Sequence, residues 1–346
     1  GRLKAWAGMG VAEVATEVAG MFVGRDTNIQ NVLRSQFDES FEDFDSPEDP
    51  TPLTPHPTEA GCHVLELYHG PSGSAADVWA GPMSALLRFQ MKRRRGRLTA
   101  IIPAASPRAL RAWRPLLGEA EEGWESHVAA FALLPVTSRN QGEVGEEARS
   151  AEHQLFLVAD EKQIANVALE TALNSKSRRQ YGATLLDSSN VGSVVFSLAH
   201  IIHAYLKLHP EADKEVSIAV DAGDYTQASA AYYARRMGLP IRRIFVAAPD
   251  AGGAESDIAL ERLAYEFCGR DPGRVVEAAA RKGGGGIRKL VHDRAPPEWL
   301  QYSLRVPKGA VEETLEAASS EEDVVASEET EASEGGALSA SEGGAG

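Results

Sequence analysis

The sequence predicts an α/β fold. Three observations carry this. Helical and strand-like segments alternate over most of residues 64–270. Within them, residues 216–248 read strand, short loop, helix, short loop, strand, a βαβ unit that requires a parallel sheet. The 346-residue composition, 43% hydrophobic and 25% charged, is ordinary for a globular chain able to bury a sizeable core.

The elements follow in chain order. Residues 5–35 are helical by periodicity, with Val11, Val14, Val18 and Phe22 spaced to share one face. From 36 to 60 the acidic run Asp38–Asp49 and Pro50, Pro52, Pro55 and Pro57 indicate a linker or exposed crossing strand. Val64–Tyr68 alternates like a strand and runs into the turn signal His69-Gly70-Pro71, before a helix through Met83, Leu86 and Leu87. Leu98–Ile102 is a short buried strand, followed by a helix near Ala109–Leu117. Ala129–Pro135 and Leu155–Val158 are further strands, and Ile164–Leu173 is helical. Val194, Leu198, Ile201, Ile202 and Tyr205 occupy one helical face. Val216–Val220 is a β-branched strand, and Ala228–Met237 a helix stopped by Gly238 with Pro240 beyond. Ile241–Ala248 is the next strand. The four glycines at 283–286 read as a flexible loop. Residues 1–60 thus form a helical segment and acidic, Pro-rich linker, residues 61–305 an α/β body, and residues 309–346 a tail.

Charge separates tail from body. The net charge is −15, and eleven acidic residues with no Lys or Arg lie in 309–346, so residues 1–308 carry −4. The tail lacks the apolar content to offset its ordering entropy, which predicts disorder; it is read as a solubilising tail or an acidic docking arm. Lys92-Arg93-Arg94-Arg95 is the one dense basic run, read as the solvated end of a helix against an anion-binding patch, and nothing favours nucleic acid as a partner. Cys62 and Cys268 stand far apart, which fits a soluble reducing compartment rather than a disulfide scaffold or zinc site. No stretch of 18 apolar residues is seen, so no membrane span is expected. The chain begins with Gly rather than Met, leaving open an organelle (mitochondrion or plastid) with a transit peptide not visible here.

Two features could carry chemistry. Gly223-Asp224-Tyr225-Thr226 follows a strand and leads into a helix N-terminus, where backbone N–H groups favour an anion such as a phosphate. An ordinary turn with Asp224 or Thr226 as N-cap fits equally well. His200 and His203 share one side of a helix but have no third metal ligand near in sequence, and read as polar-edge histidines of a core helix. No metal site is expected.

Four segments in order carry a family resemblance: Val64–Asp77 (VLELYHGPSGSAAD), Asp187–Leu208, Ala230–Pro240 (AAYYARRMGLP) and Ser256–Asp271. Over roughly residues 5–275 the chain resembles the threonine synthases. The resemblance implies two parallel-sheet subdomains of pyridoxal phosphate (PLP) fold type II, like the tryptophan synthase β chain. It implies an activity that converts O-phosphohomoserine and water to threonine and phosphate. In the family's motif a lysine carries the cofactor and moves protons.

The motif survives only in part. His69, Gly70, Pro71 and Asp77 match, Ser72 replaces a threonine, and Ala76 stands where the lysine belongs. Gly223, Asp224, Tyr225 and Thr226 are the vestige of the cofactor-phosphate loop, with Asp224 adding negative charge. Ile102–Ser106 has lost the family's glycines and hydroxyls, and Ser193 and Phe196 replace a substrate-side Asn and Arg. No catalytic residue can be assigned. The resemblance therefore implies an inactive threonine synthase-like protein, a degenerate member kept as a structural or binding subunit with protein partners and no cofactor. The alternative is an active PLP-dependent threonine synthase, a carbon–oxygen lyase of amino-acid biosynthesis, using a lysine elsewhere. A regulatory binder of a small ligand is the third reading.

Overall fold

The structure is a computed structural model. It describes residues 2–23, 26–94, 96–104, 107–113, 116, 128–135, 155–158, 164, 167–168, 170–172, 174–187, 190–221, 225–249, 258–282 and 284–304. The chain divides into two compact units, Gly1–Tyr302 and Ser303–Gly346. The elements belong to the first, apart from the last two residues of the final strand.

Three helices open the chain: α1 (Arg2–Trp6), α2 (Val11–Val23) and α3 (Thr27–Ser40). Val11, Val14 and Val18 are buried as their spacing demands, but Phe22 is 53% exposed: the buried stripe of α2 ends at Ala19. Helix α3 continues to Ser40, so the first residues expected to be linker are helical. Asp26 caps it, accepting from the Asn28 N–H. Phe37 is the reason it persists, because this ring is fully buried and meets Phe196 edge-on at 5.4 Å.

Strands β1 (Leu53–Pro55) and β2 (His63–Leu65) form a short antiparallel pair. The expected strand Val64–Tyr68 stops early for a simple reason. Glu66 N–H donates to the Pro52 carbonyl, but Pro52 has no N–H to return, and Pro50 repeats the defect. Helix α4 (Asp77–Arg94) leads to β3 (Leu98–Pro103). A short helix, α5 (Pro107–Leu110), and a 3₁₀ turn (Arg111–Trp113) replace the start of the longer helix expected at 109–117. Strands β4 (Val128–Pro135) and β5 (Leu155–Val158), helix α6 (Ser175–Tyr181) and strand β6 (Ala183–Leu185) complete a four-stranded parallel sheet in the order β5-β4-β3-β6. The described residues of 164–172 are helical.

The second half holds α7 (Val191–Leu208), β7 (Val216–Asp221), α8 (Thr226–Arg236) and β8 (Ile241–Pro249). Strands β7 and β8 pair in parallel, as the βαβ pattern requires. Helices α9 (Ile258–Phe267), α10 (Pro272–Lys282) and α11 (Gly284–Arg294) precede β9 (Trp299–Leu304), which adds to β8. The fold is thus α/β, with two separate larger sheets beside the short β1–β2 pair. The glycine run does not form a loop throughout: Gly284–Gly286 make the first turn of α11, because Ile287 and Val291 are buried in the core and that packing outweighs glycine's poor helix propensity.

Helix α7 is the centre of this unit. Fourteen consecutive residues, Ser193–Leu206, are buried, and α2, α4 and α8 all pack on it. By length and composition alone it is long and apolar enough to cross a membrane, but most of it is buried inside the protein. His200 is not at a polar edge, as expected, but 1% exposed. Its Nδ1 lies 3.1 Å from Thr51 Oγ1, and Nε2 makes no hydrogen bond. Burial, helped by the charge of His203 and opposed slightly by the Val78 backbone, pushes its pKa down to about 3.

Two outcomes follow. Phe37→Ala should cost about 3–5 kcal/mol in urea unfolding, since it removes a fully buried ring. The folded-state pKa of His200 lies below the unfolded value of 6.5, so the unfolded chain binds a proton that the native one excludes. Stability should fall as pH drops from 6.5 toward 3, by at most about 1.4 kcal/mol per pH unit from this group. Urea unfolding across that range should show a shallower slope in His200→Gln.

Candidate functional site

The segment His69–Asp77 is the place where the sequence concentrates motif residues, and the structure shows a loop closed on itself. Asp77 begins α4, yet its side chain turns back. Its Oδ2 accepts from the Ser72 N–H at 3.0 Å and the Ser74 N–H at 3.4 Å. Ser72 Oγ and Ser74 Oγ lie 2.9 Å apart, and the Ala76 N–H donates to Ser74 Oγ at 3.2 Å. The Gly73 N–H donates to the Gly70 carbonyl, and the Asp77 N–H to the Ser74 carbonyl. The N–H groups of Ser72, Gly73, Ser74, Ala76 and Asp77 are thus bonded within the loop. A carboxylate in place of an external anion satisfies the N–H groups that precede a helix.

Gly70 is required by this arrangement. A Cβ there would lie 2.5–2.7 Å from three side-chain atoms of Asp77. Asp77 is itself buried, and its Oδ1 has no hydrogen-bond partner. Desolvation raises its pKa above the usual carboxylate range, against the hydrogen bonds from Ser72, Ser74 and Gly73 that favour the charged form.

His69 is clamped at both ring nitrogens. Nδ1 lies 2.9 Å from Asp45 Oδ2 and Nε2 lies 2.6 Å from Glu66 Oε2. Thr54 donates to Glu66 Oε1 at 2.7 Å, and the His69 carbonyl accepts from the Asp45 N–H. Glu66 first and Asp45 second hold the His69 pKa above the ordinary imidazole range. Thr54 first and His69 second hold Glu66 below the ordinary carboxylate range. With both nitrogens engaged, this imidazole has no lone pair free to act as a base or a ligand. The partners Asp45 and Thr54 had no signal in the sequence; they are brought to His69 and Glu66 only by the folded chain.

The other motif remnants surround α7. Ala76 is half-buried, its methyl packed against the main core cluster. Ser193 is buried, with Oγ donating to the Asn190 carbonyl at 2.6 Å. Phe196 is buried against Phe37. Tyr225, with φ 55°, occupies the N-cap position of α8, so neither Asp224 nor Thr226 is the cap; Thr226 is the first helical residue, and both Tyr225 and Thr226 are buried. Gly223, Asp224, Ala105 and Ser106 lie outside the described residues. Helix α7 touches both α4, which follows the 69–77 loop, and α8, which Tyr225 opens, and Gln227 Nε2 donates to Ser197 Oγ at 3.3 Å. Helix α7 thus carries Ser193 and Phe196 and packs against the helices that Asp77 and Thr226 begin.

No family model matches the chain. It is 24% identical over 261 residues to the threonine synthase of Schizosaccharomyces pombe, covering 71% of this chain and 49% of that protein. Human threonine synthase-like 2 is 23% identical over 258 residues, covering 70% and 50%. Among solved structures, the PLP-bound threonine synthase of Brucella melitensis superposes with a TM-score of 0.67 at 20% identity, over 87% of this chain and 69% of that one. Yeast threonine synthase gives 0.63 at 16% identity, over 86% and 67%. The chain is thus similar in sequence to threonine synthases and shares their fold. It spans about half the length of the sequence relatives it matches. The fold is of the class expected: mixed α/β, with two larger separate sheets and one short antiparallel pair.

The residues present do not fit PLP as that resemblance would place it. Ala76 offers a methyl group where a primary amine is needed, and no lysine occurs anywhere in residues 61–91. The Ser72 and Ser74 N–H groups are already bonded to Asp77, and Phe196 lies in the apolar core.

Gly70→Ala should destabilise the protein by about 1–3 kcal/mol, because the added methyl meets a buried side chain with little room to move. Thermal unfolding checks it. The His69 clamp weakens as pH rises through the raised His69 value and as pH falls through the lowered Glu66 value. Asp45→Asn should lower the His69 pKa in an NMR titration of the imidazole.

Proposed function

We propose that this chain is a threonine synthase-like protein with no PLP chemistry of its own, retained as a structural or binding subunit. The observation that carries this reading is Ala76 at the lysine position, in a loop where Asp77 takes the Ser72 and Ser74 N–H groups. A methyl group neither anchors a carbonyl cofactor nor moves a proton, and positioned acid–base catalysis alone is worth about 10²–10⁴ in rate. What remains matched to the family is chiefly what a core needs. Ala231 and Leu239 are buried, and Leu67 packs against the same core. A fold can persist while its site changes.

The test is direct. The purified protein is mixed with PLP, examined for a protein-bound cofactor absorbance band, and then reduced with borohydride and mapped by mass spectrometry. No band, no labelled lysine and no phosphate release from O-phosphohomoserine are expected. A single labelled lysine with turnover would establish the active alternative instead.

A further inference from the structure

Two basic stretches far apart in sequence meet at one end of the four-stranded sheet. Residues 78–97 and 171–186 hold nine Lys or Arg and no Asp or Glu. Everything else in residues 1–308 therefore sums to −13, since those residues total −4. The first stretch is the end of α4 and the approach to β3, and the second is α6 and the approach to β6. Parallel pairing of β3 with β6 brings the starts of both strands to the same edge. The junction is tight: the Thr99 N–H donates to the Gly182 carbonyl at 3.3 Å, and Thr99 Oγ1 donates to the Tyr181 carbonyl at 2.8 Å. Gly182 caps α6 at φ 64°, and a Cβ on it would lie 2.3 Å from the Arg97 carbonyl oxygen, so no side chain fits between the stretches.

The resulting surface is exposed. Helix α6 has no buried residue, and Arg94, Arg97, Lys176, Arg178 and Arg179 all face solvent. Arg93, one of the nine, pairs with Asp26. Tyr181 sits among them, 54% exposed. Helix C-termini favour cations in their last turn, worth about 0.3–1 kcal/mol each. That accounts for one or two cations per helix, not for nine in two stretches that hold no acidic residue.

We propose that this patch is the docking surface of the subunit for an acidic partner protein; the proposal rests on the structural or binding reading above. Arginine and tyrosine are the residues enriched in protein interfaces, and a basic patch steers and orients an acidic one. A long polyanion would fit less well. Beyond the patch it meets a body whose remaining charge is −13, which repels it, whereas a compact acidic face meets the patch alone.

The full chain is titrated into a fluorescein-labelled Glu-rich peptide, a single-stranded RNA of similar length and vesicles containing phosphatidylserine. The peptide should bind more tightly than either, and binding should weaken from low to physiological salt. Arg178→Glu with Arg179→Glu should reduce peptide affinity at least about tenfold. Arg242→Glu with Arg243→Glu, the same charge change at exposed positions on β8, should leave it unchanged. Both variants should stay folded, because all four side chains are exposed, with any loss of melting temperature in the Arg178/Arg179 variant limited to the last-turn charge effect on α6. Absence of peptide binding at low salt, equal loss in both variants, or tighter binding of RNA or vesicles overturns the proposal. None of these outcomes bears on the PLP test, so the two readings fail separately.

Discussion

The burial of one helix organises the described fold. Helix α7 carries Val194, Phe196, Leu198, Ile201 and Ile202 into the core, each contributing roughly 1.5–3 kcal/mol by leaving water. Helices α2, α4 and α8 depend on it, since each packs against this one surface. The dependence also explains the accommodation of His200. A neutral imidazole bonded to Thr51 can sit in that interior, whereas a charged one cannot.

The same helix links architecture to the fate of the site. Phe196 occupies a position that the family resemblance assigns to a phosphate-binding arginine, and it now seals α7 against Phe37 of α3. An arginine there would bring a charge into apolar packing; a phenylalanine adds to it. In the 69–77 loop, Asp77 satisfies donors that would otherwise need an external acceptor, and Gly70 makes room for it. Residues that look like motif survivors are therefore explained by packing and internal hydrogen bonding.

Much was legible in the sequence where periodicity was long. The strands at 98–103, 128–135 and 216–221, and the helix at 191–208, match their hydrophobic patterns because buried faces must repeat at the period of the element. The readings that failed were local ones overruled from outside. Val64–Tyr68 alternates correctly, but its partner strand is flanked by prolines without N–H groups. The glycines at 284–286 are poor helix formers held by the buried residues that follow them. Phe22 continues a helical stripe past the point where neighbours cover it.

The sequence alone determined the fold class, the family resemblance and the presence of Ala76 where that resemblance calls for a lysine, because these depend on residue order and residue type. Tertiary structure decided which groups meet. Asp45 and Glu66 close on His69, and Arg97 comes to lie beside the helix bearing Arg178, only once the chain has folded. Charge and hydrogen bonding act over a few ångströms of space, and the chain separates those partners by up to dozens of residues.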